Sequence, residues 1–295
     1  MLWERAGLQD EAAIKAFIVP KEQYAAAISQ RVFDSRGKLR KFDAKTGLFV
    51  IKEKTGIEAA MLLTSNGSAF PLLGDKYAGD GELAARLFKE LAKDHFVAFY
   101  RPSVCMGAEK QLATIQEALG WQAEVSIDYD TMSMDLLAMA GNSHIKNFTA
   151  FLQGYTCRAA SLADLADLMP LAEAYERAEV LTRIHFYNHA TSKAIQKNSL
   201  EKQLVYIVCH GDRIVGRAQT NAQGIDWYQL GGIFVYPAYR GLGLGKLVLE
   251  AILSDILKMQ KGACLFVKKT NSTAISLYKR LGFIKTADYR ISYFV

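Results

Sequence analysis

The sequence predicts an α/β (α+β) protein made of two related units in tandem, each a mixed sheet flanked by helices. Three observations lead there. The chain has 295 residues, longer than one compact core usually supports. An order of helix, strand, helix and closing strands occurs over residues 83–137 and again at the C-terminus. A short echo marks the same place in both: Leu119-Gly120-Trp121 and Leu281-Gly282-Phe283.

Residues 8–31 read as one or two helices, because Ala12, Ala13, Ala16 and Phe17 recur at helical spacing, Pro20 interrupts, and Tyr24, Ala27 and Ile28 resume. The polar stretch 34–46 reads as a loop. Strands follow at 48–51, 57–63 and 69–73, separated by Thr55-Gly56 and the Asn66-Gly67 turn signal. Next come a helix carrying Leu83, Leu87, Phe88 and Leu91, a strand at 96–100, a helix carrying Leu112, Ile115 and Leu119, and a pair of strands within 123–137. Residues 141–154 are the expected linker between a first domain, 1–140, and a second, 155–295. The second opens with a strand at 155–159. Ser161 is placed to cap a helix through Tyr175, interrupted by Pro170, and strands at 204–209 and 214–220 follow around Gly211-Asp212.

Composition narrows the class. With 51% hydrophobic and 22% charged residues and only short apolar runs, the chain reads as a soluble globular protein that works without a membrane. The N-terminus lacks the apolar core of a secretory signal. Four scattered cysteines (Cys105, Cys157, Cys209, Cys264) with no Cys-x-x-Cys pair argue against zinc or a disulfide framework, so no metal and a cytoplasmic location are expected. The net charge of +6 suits an anionic ligand, yet it is spread along the chain and no nucleic-acid module is recognisable.

The chemistry concentrates in residues 228–245. An apolar run (Leu230, Ile233, Phe234, Val235) ends at Pro237, and Gly241, Gly243 and Gly245 lead into an amphipathic pattern from Leu244. At such a junction the first N–H groups of the helix lack partners and carry the positive end of its dipole, while the glycines allow close backbone approach. A phosphate or pyrophosphate fits there. The nucleotidase phosphate loop is excluded because Gly245-Lys246 is followed by Leu247. The dinucleotide fingerprint is excluded because position 246 is Lys.

The pattern that fits is Arg-x-x-Gly-x-Gly, carried by Arg240, Gly243 and Gly245. Further on, Asn271, Ala274, Leu277, Tyr278, Gly282 and Phe283 spell Asn-x-x-Ala-x-x-Leu-Tyr-x-x-x-Gly-Phe. In both motifs and their order, the chain over residues 155–295 resembles the GNAT acetyltransferases. The resemblance implies acetyl-CoA as co-substrate, its pyrophosphate on Arg240, Gly241, Leu242, Gly243, Leu244, Gly245 and Lys246. Its pantetheine arm would run beside the backbone of Ile233, Phe234 and Val235. Asn271 would be a helix cap, a contact to CoA, or both, and Tyr278 the general acid. The variable segment Arg177–His189 would meet an acceptor amine on a small molecule, peptide or protein. The base is left unassigned among His185, Tyr187, His189, Asp226, Gln229 and an ordered water. The expected activity is N-acetyl transfer by direct attack in a ternary complex. A non-enzymatic acyl-CoA sensor and a transferase of longer acyl chains are the alternatives.

Only the second unit has the intact CoA motif. The first has Asp75, Asp80 and Glu82 where the cationic glycine loop would stand, and Gln116 in the place of Tyr278. It reads as a diverged, non-catalytic GNAT-like partner that forms a wall of the substrate cleft or a dimer surface, which leaves a homodimer open.

Overall fold

The computed structural model of the chain describes residues 3–152 and 154–295; Met1, Leu2 and Gln153, which fall in the N-terminal and linker segments read above, lie outside the described residues. The chain divides into two compact units. One comprises residues 1–131, 267–270 and 286–295, the other 132–266 and 271–285. This partition differs from a single cut at 141–154.

In the first unit, a short strand β1 (Glu4–Arg5) precedes helices α1 (Glu11–Ile18) and α2 (Glu22–Val32), with Pro20 in the 3-10 turn that separates them. Strands β2 (Gly47–Glu53), β3 (Gly56–Leu63) and β4 (Ser68–Leu73) form an antiparallel meander. Their residues are buried almost continuously, which is why they lack polar alternation. After α3 (Asp75–Ala78), helix α4 (Gly81–Leu91) buries Ala84, Leu87, Phe88 and Leu91 at helical spacing against Phe49, Met61 and Leu63.

Residues 96–100, expected as a strand, instead belong to helix α5 (His95–Phe99). Asp94 caps it, its carboxylate accepting the N–H groups of Phe96 and Val97. The strand falls later, as β5 (Val104–Ala108), parallel to β4. Helix α6 (Glu109–Ala118) follows, and one strand, β6 (Val125–Met134), takes the place of the expected pair. The strand order is β1-β2-β3-β4-β5-β13-β6, where β13 (Ile284–Tyr293) is a single closing strand, antiparallel to β5 with Tyr289 opposite Ala108. The last strand of the sequence thus completes the first unit.

The second unit takes in the expected linker, which is ordered as α7 (Leu136–Gly141), α8 (Ser143–Lys146) and β7 (Phe151–Leu152). Asp135 and Asn142 cap the two short helices. Strand β8 (Tyr155–Ala159) leads to α9 (Leu165–Tyr175), which carries Pro170 and runs into a π-helical turn at Glu176–Val180. Helix α10 (His189–Lys202) was hidden by its weak apolar periodicity. Then come β9 (Val205–His210), β10 (Arg213–Gln223), β11 (Trp227–Val235), α11 (Leu244–Lys258), β12 (Gly262–Lys268) and α12 (Ser272–Leu281). The order is β12-β11-β10-β9-β8-β7, antiparallel except for β11 with β12. Leu168, Leu171, Ile207, Ile214 and Phe234 form a core under α9.

Each unit therefore repeats one scheme: antiparallel strands, a helix, a parallel strand, a helix. Among the described residues, no helix is long and apolar enough to cross a membrane. No group of three or more His, Cys, Asp or Glu stands ready for a metal among them. All four cysteines are buried and none is in a disulfide among the described residues.

Candidate active site

The site grows from the way β11 parts from its neighbour. β11 pairs with β12 from Trp227–Gly262 to Leu230–Leu265, and then continues to Val235 with pairing, among the described residues, on its β10 side alone. Two register shifts in β10, near Arg217–Gln219 and Thr220–Ala222, bend the pair. Gly232 sits at the bend with φ +57°, and a side chain there would meet the Arg217 guanidinium at 2.9 Å. The backbone of residues 231–235 is left as a strand edge, the kind of surface that takes an extended ligand by main-chain hydrogen bonds. Phe234 and Val235 are buried and Ile233 is half-buried.

The glycine loop begins where this edge ends. Arg240 folds back on the strand: its Nε donates to the Val235 carbonyl at 3.1 Å, and its guanidinium lies 5.5 Å from the Phe234 ring centre. Gly241 and Gly243 have φ of +81° and +79°, a region that side chains disfavour. Gly243 is the N-cap of α11, and among the described residues no side-chain cap bonds the first N–H groups of that helix. Leu242 is half exposed, whereas Leu244 is buried and anchors the helix start. Gly245 faces Leu277 of α12, the residue before Tyr278. Lys246 pairs with Glu250 at 3.3 Å. A cavity of about 490 Å³ opens beside the loop, with His144, Asn147, Thr149, Gly243 and Lys246 in its walls.

Helix α12 starts at Asn271, whose Oδ1 accepts the Ala274 N–H at 3.1 Å. Two turns on, Tyr278 is 6% exposed and packs edge-on against Phe283, with ring centres 6.0 Å apart. Burial pushes its phenol above the ordinary tyrosine value, and the nearby Tyr175 and Glu179 push it in the same direction. At neutral pH it is a protonated donor. Among the described residues, no hydrogen bond engages its hydroxyl.

A buried polar row accompanies these groups and is not legible in the two motifs. Arg217, Gln219, Gln196 and Ser192 are all buried, with Glu176 beside them on the π-helical turn. The Arg217 guanidinium is 5.8 Å from the Tyr175 ring centre, and Tyr175 meets Phe234 edge-on at 5.9 Å. The sequence signal was the polar alternation Arg217, Gln219, Asn221 on an otherwise apolar strand, opposite Gly231-Gly232. His185 lies on the segment before α10 and His189 opens that helix, both exposed, their rings held by Thr182 at 2.8 Å and Tyr187 at 3.4 Å.

The first unit has the same parting of strands but a different helix start. β4 pairs with β5 only at Ser68–Val104 and Ala69–Cys105, and a cavity of about 200 Å³ lies beyond, between Pro71–Leu73 and Gly107–Ala108. The N-terminus of α4 is filled by its own carboxylate, because Asp80 accepts the Leu83 N–H at 2.9 Å. Glu82 pairs with Arg86. Gln116 is buried, with its side chain beside the Cys105 thiol.

Residues 201–285 match the family model of the acetyltransferase (GNAT) domain. Solved structures extend the likeness to the whole chain. A tandem GNAT protein from the clavulanic acid biosynthesis pathway aligns over 98% of this chain and 97% of its own, with 13% identity and a TM-score of 0.57. An acetyltransferase of the GNAT family from Colwellia psychrerythraea aligns over the full length of both chains at 13% identity and a TM-score of 0.55. A GCN5-related N-acetyltransferase from Sphaerobacter thermophilus covers 99% of this chain and 94% of its own, at 14% identity and a TM-score of 0.59. A comparison with curated proteins gives no match. Residues 201–285 are a GNAT domain, and the fold of the chain is that of a tandem GNAT protein.

Proposed function

We propose that the chain is an acetyl-CoA-dependent N-acetyltransferase with one working site, in the second unit. The observation that carries this is the conjunction of an uncapped helix N-terminus at Gly243, a strand edge at 231–235 leading up to it, and a buried, protonated Tyr278 on the adjoining helix.

The N–H groups at the start of α11, aided by the helix dipole and by Arg240 and Lys246, receive the pyrophosphate. The edge of Ile233, Phe234 and Val235 lines up the pantetheine, and the Val235 N–H faces the thioester carbonyl. Asn271 holds the start of α12, and with it the position of Tyr278. The acceptor amine attacks the carbonyl carbon, the carbon–sulfur bond breaks, and Tyr278 gives its proton to the departing thiolate. The proton lost by the amine leaves to solvent, and a proton from solvent restores the Tyr278 phenol. The base that removes it is unassigned. Direct attack needs no cysteine, and all four cysteines are buried.

Asp80 supports the one-site reading, since it occupies the α4 N-terminus with a carboxylate where a phosphate would otherwise go. Buried cysteines outside any disulfide accord with a reducing cytoplasm. The test is thiol release from acetyl-CoA with and without a panel of primary amines. Amine-dependent release is expected; tight CoA binding without amine-dependent release would favour a sensor, and would count against the enzyme.

A further inference from the structure

The acceptor side of the site holds a cation that the mechanism above does not use. Arg217 is 1% exposed, so its charge is withdrawn from water, which is unfavourable unless the charge is compensated. Its hydrogen bonds go to neutral amide oxygens: Nη1 donates to Gln196 Oε1 at 2.7 Å and Nη2 to Gln219 Oε1. Its Nε is buried with no partner. Among the described residues, no carboxylate forms an ion pair with it. Glu176 stands one amide away, its Oε1 engaged by Ser192 Oγ at 2.6 Å and Gln196 Nε2 at 3.4 Å. Burial lowers the guanidinium pKa to about 10, so the group is still charged at neutral pH.

The orientation of this group is specific. Nε and Nη2 form the side-on edge of a guanidinium, the edge that takes both oxygens of a carboxylate. Here Nη2 lies against the bare Cα of Gly232, at the bend that starts the free strand edge. Tyr175, whose ring centre lies 5.8 Å from the guanidinium, also acts electrostatically on Tyr278. A ligand bound with one end at Arg217 would present its other end beside the thioester position. Gln219, whose amide holds Nη2 and reaches on to Asn221 at 3.0 Å, is a neutral acceptor that a carboxylate can replace with a stronger, charged bond.

We propose, resting on the transferase reading above, that the acceptor is a small amino acid-like molecule carrying both an amine and a carboxylate, and that Arg217 receives the carboxylate side-on through Nε and Nη2. Arg217 is then a specificity residue that selects the acceptor and leaves CoA binding alone.

The experiment pairs each amino acid of a panel with its decarboxylated amine, for example lysine with cadaverine and histidine with histamine. It is run in two arms on the full chain. In the first, amine-dependent thiol release gives kcat/KM for each member. In the second, saturation-transfer NMR on protein loaded with CoA detects binding of the same ligands without turnover. The expected result is a preference for the carboxylate member on the order of 100-fold in the responsive pair, because a buried polar group left unpaired rejects the analogue. Arg217→Gln should erase that preference and Arg217→Lys should retain part of it, with CoA affinity unchanged in both. Equal use or equal binding of both members overturns the proposal, as does a preference that survives in Arg217→Gln. If no amine is acetylated although a carboxylate member binds and Arg217→Gln abolishes it, the transferase reading fails and the carboxylate site stands. If neither member of any pair binds, the site falls. Should the Arg217 variants fail to fold, the wild-type pairs decide alone.

Discussion

Replacing Tyr278 with Phe isolates a single atom. The ring is 6% exposed and keeps its edge-on contact with Phe283, and no protein hydrogen bond to the hydroxyl is lost among the described residues. Stability should therefore change by less than about 1 kcal/mol, since no buried partner is orphaned. What disappears is the proton for the thiolate, typically worth about 100-fold to 10,000-fold in rate. That corresponds to about 3–5 kcal/mol in the barrier at 1.36 kcal/mol per decade. The assay is kcat with a good amine where chemistry limits the rate, with CoA affinity from calorimetry and Tm as controls. The pH dependence adds a signed check. A general acid acts in its protonated form, and burial raises the Tyr278 pKa above its ordinary value of about 10. Loss of its proton therefore causes no alkaline fall in kcat below about pH 10. Wild-type kcat in the Phe variant would reduce Tyr278 to a packing residue. An alkaline limb near pH 8 that vanishes in the variant would refute the direction of its pKa shift.

Three further outcomes are expected. Gly232→Ala should destabilise the second unit by about 1–3 kcal/mol and weaken acetyl-CoA binding, because the new Cβ would sit in the left-handed region and 2.9 Å from the Arg217 guanidinium; calorimetric Tm and CoA affinity are the readouts, and an unchanged pair of values would contradict the account of the bend. Asp164 is held down to about pKa 2, first by its hydrogen bonds to Arg158 and further by the Ser161 N–H; ionised in the folded state, it contributes stability above its unfolded pKa that is lost as pH falls from about 4 through 2. Asp164→Asn should thus cost about 1–2 kcal/mol at pH 7 and little near pH 2 in urea melts, a penalty equal at both pH values being the contrary result. Asp80→Ala should cost about 1 kcal/mol through loss of the α4 cap without creating a second CoA site, as read by Tm and binding stoichiometry.

What the sequence disclosed was local and periodic. The glycines at 241, 243 and 245, the Pro237 stop and the spacing of Asn271 to Phe283 dictate backbone directly, and the loop and helices lie where they were read. Segments with competing signals were harder. Residues 96–100 are apolar and aromatic enough for a strand, but Asp94 captures two N–H groups and starts a helix. Residues 141–154 read as a linker because the helices there and just before are short, capped by Asp135 and Asn142. The polar row around Arg217 could not be seen because it joins α9, α10 and β10, elements distant in sequence whose meeting only the fold decides. The use of β13 by the first unit is likewise a matter of tertiary pairing.

The most direct measurement of the central claim is a calorimetric titration with acetyl-CoA of the wild-type chain and of Gly243→Asp. Among the described residues, a Cβ at residue 243 meets Leu152 alone, at 3.6 Å, and Asp tolerates the left-handed region better than most residues, so the variant should fold. Its carboxylate would stand in the anion cradle as Asp80 does in the first unit. The account predicts one equivalent bound per wild-type chain and affinity lowered on the order of 100-fold or more in the variant, from like-charge repulsion at the helix N-terminus. Two equivalents in the wild type, or unchanged affinity in a folded Gly243→Asp chain, would contradict it.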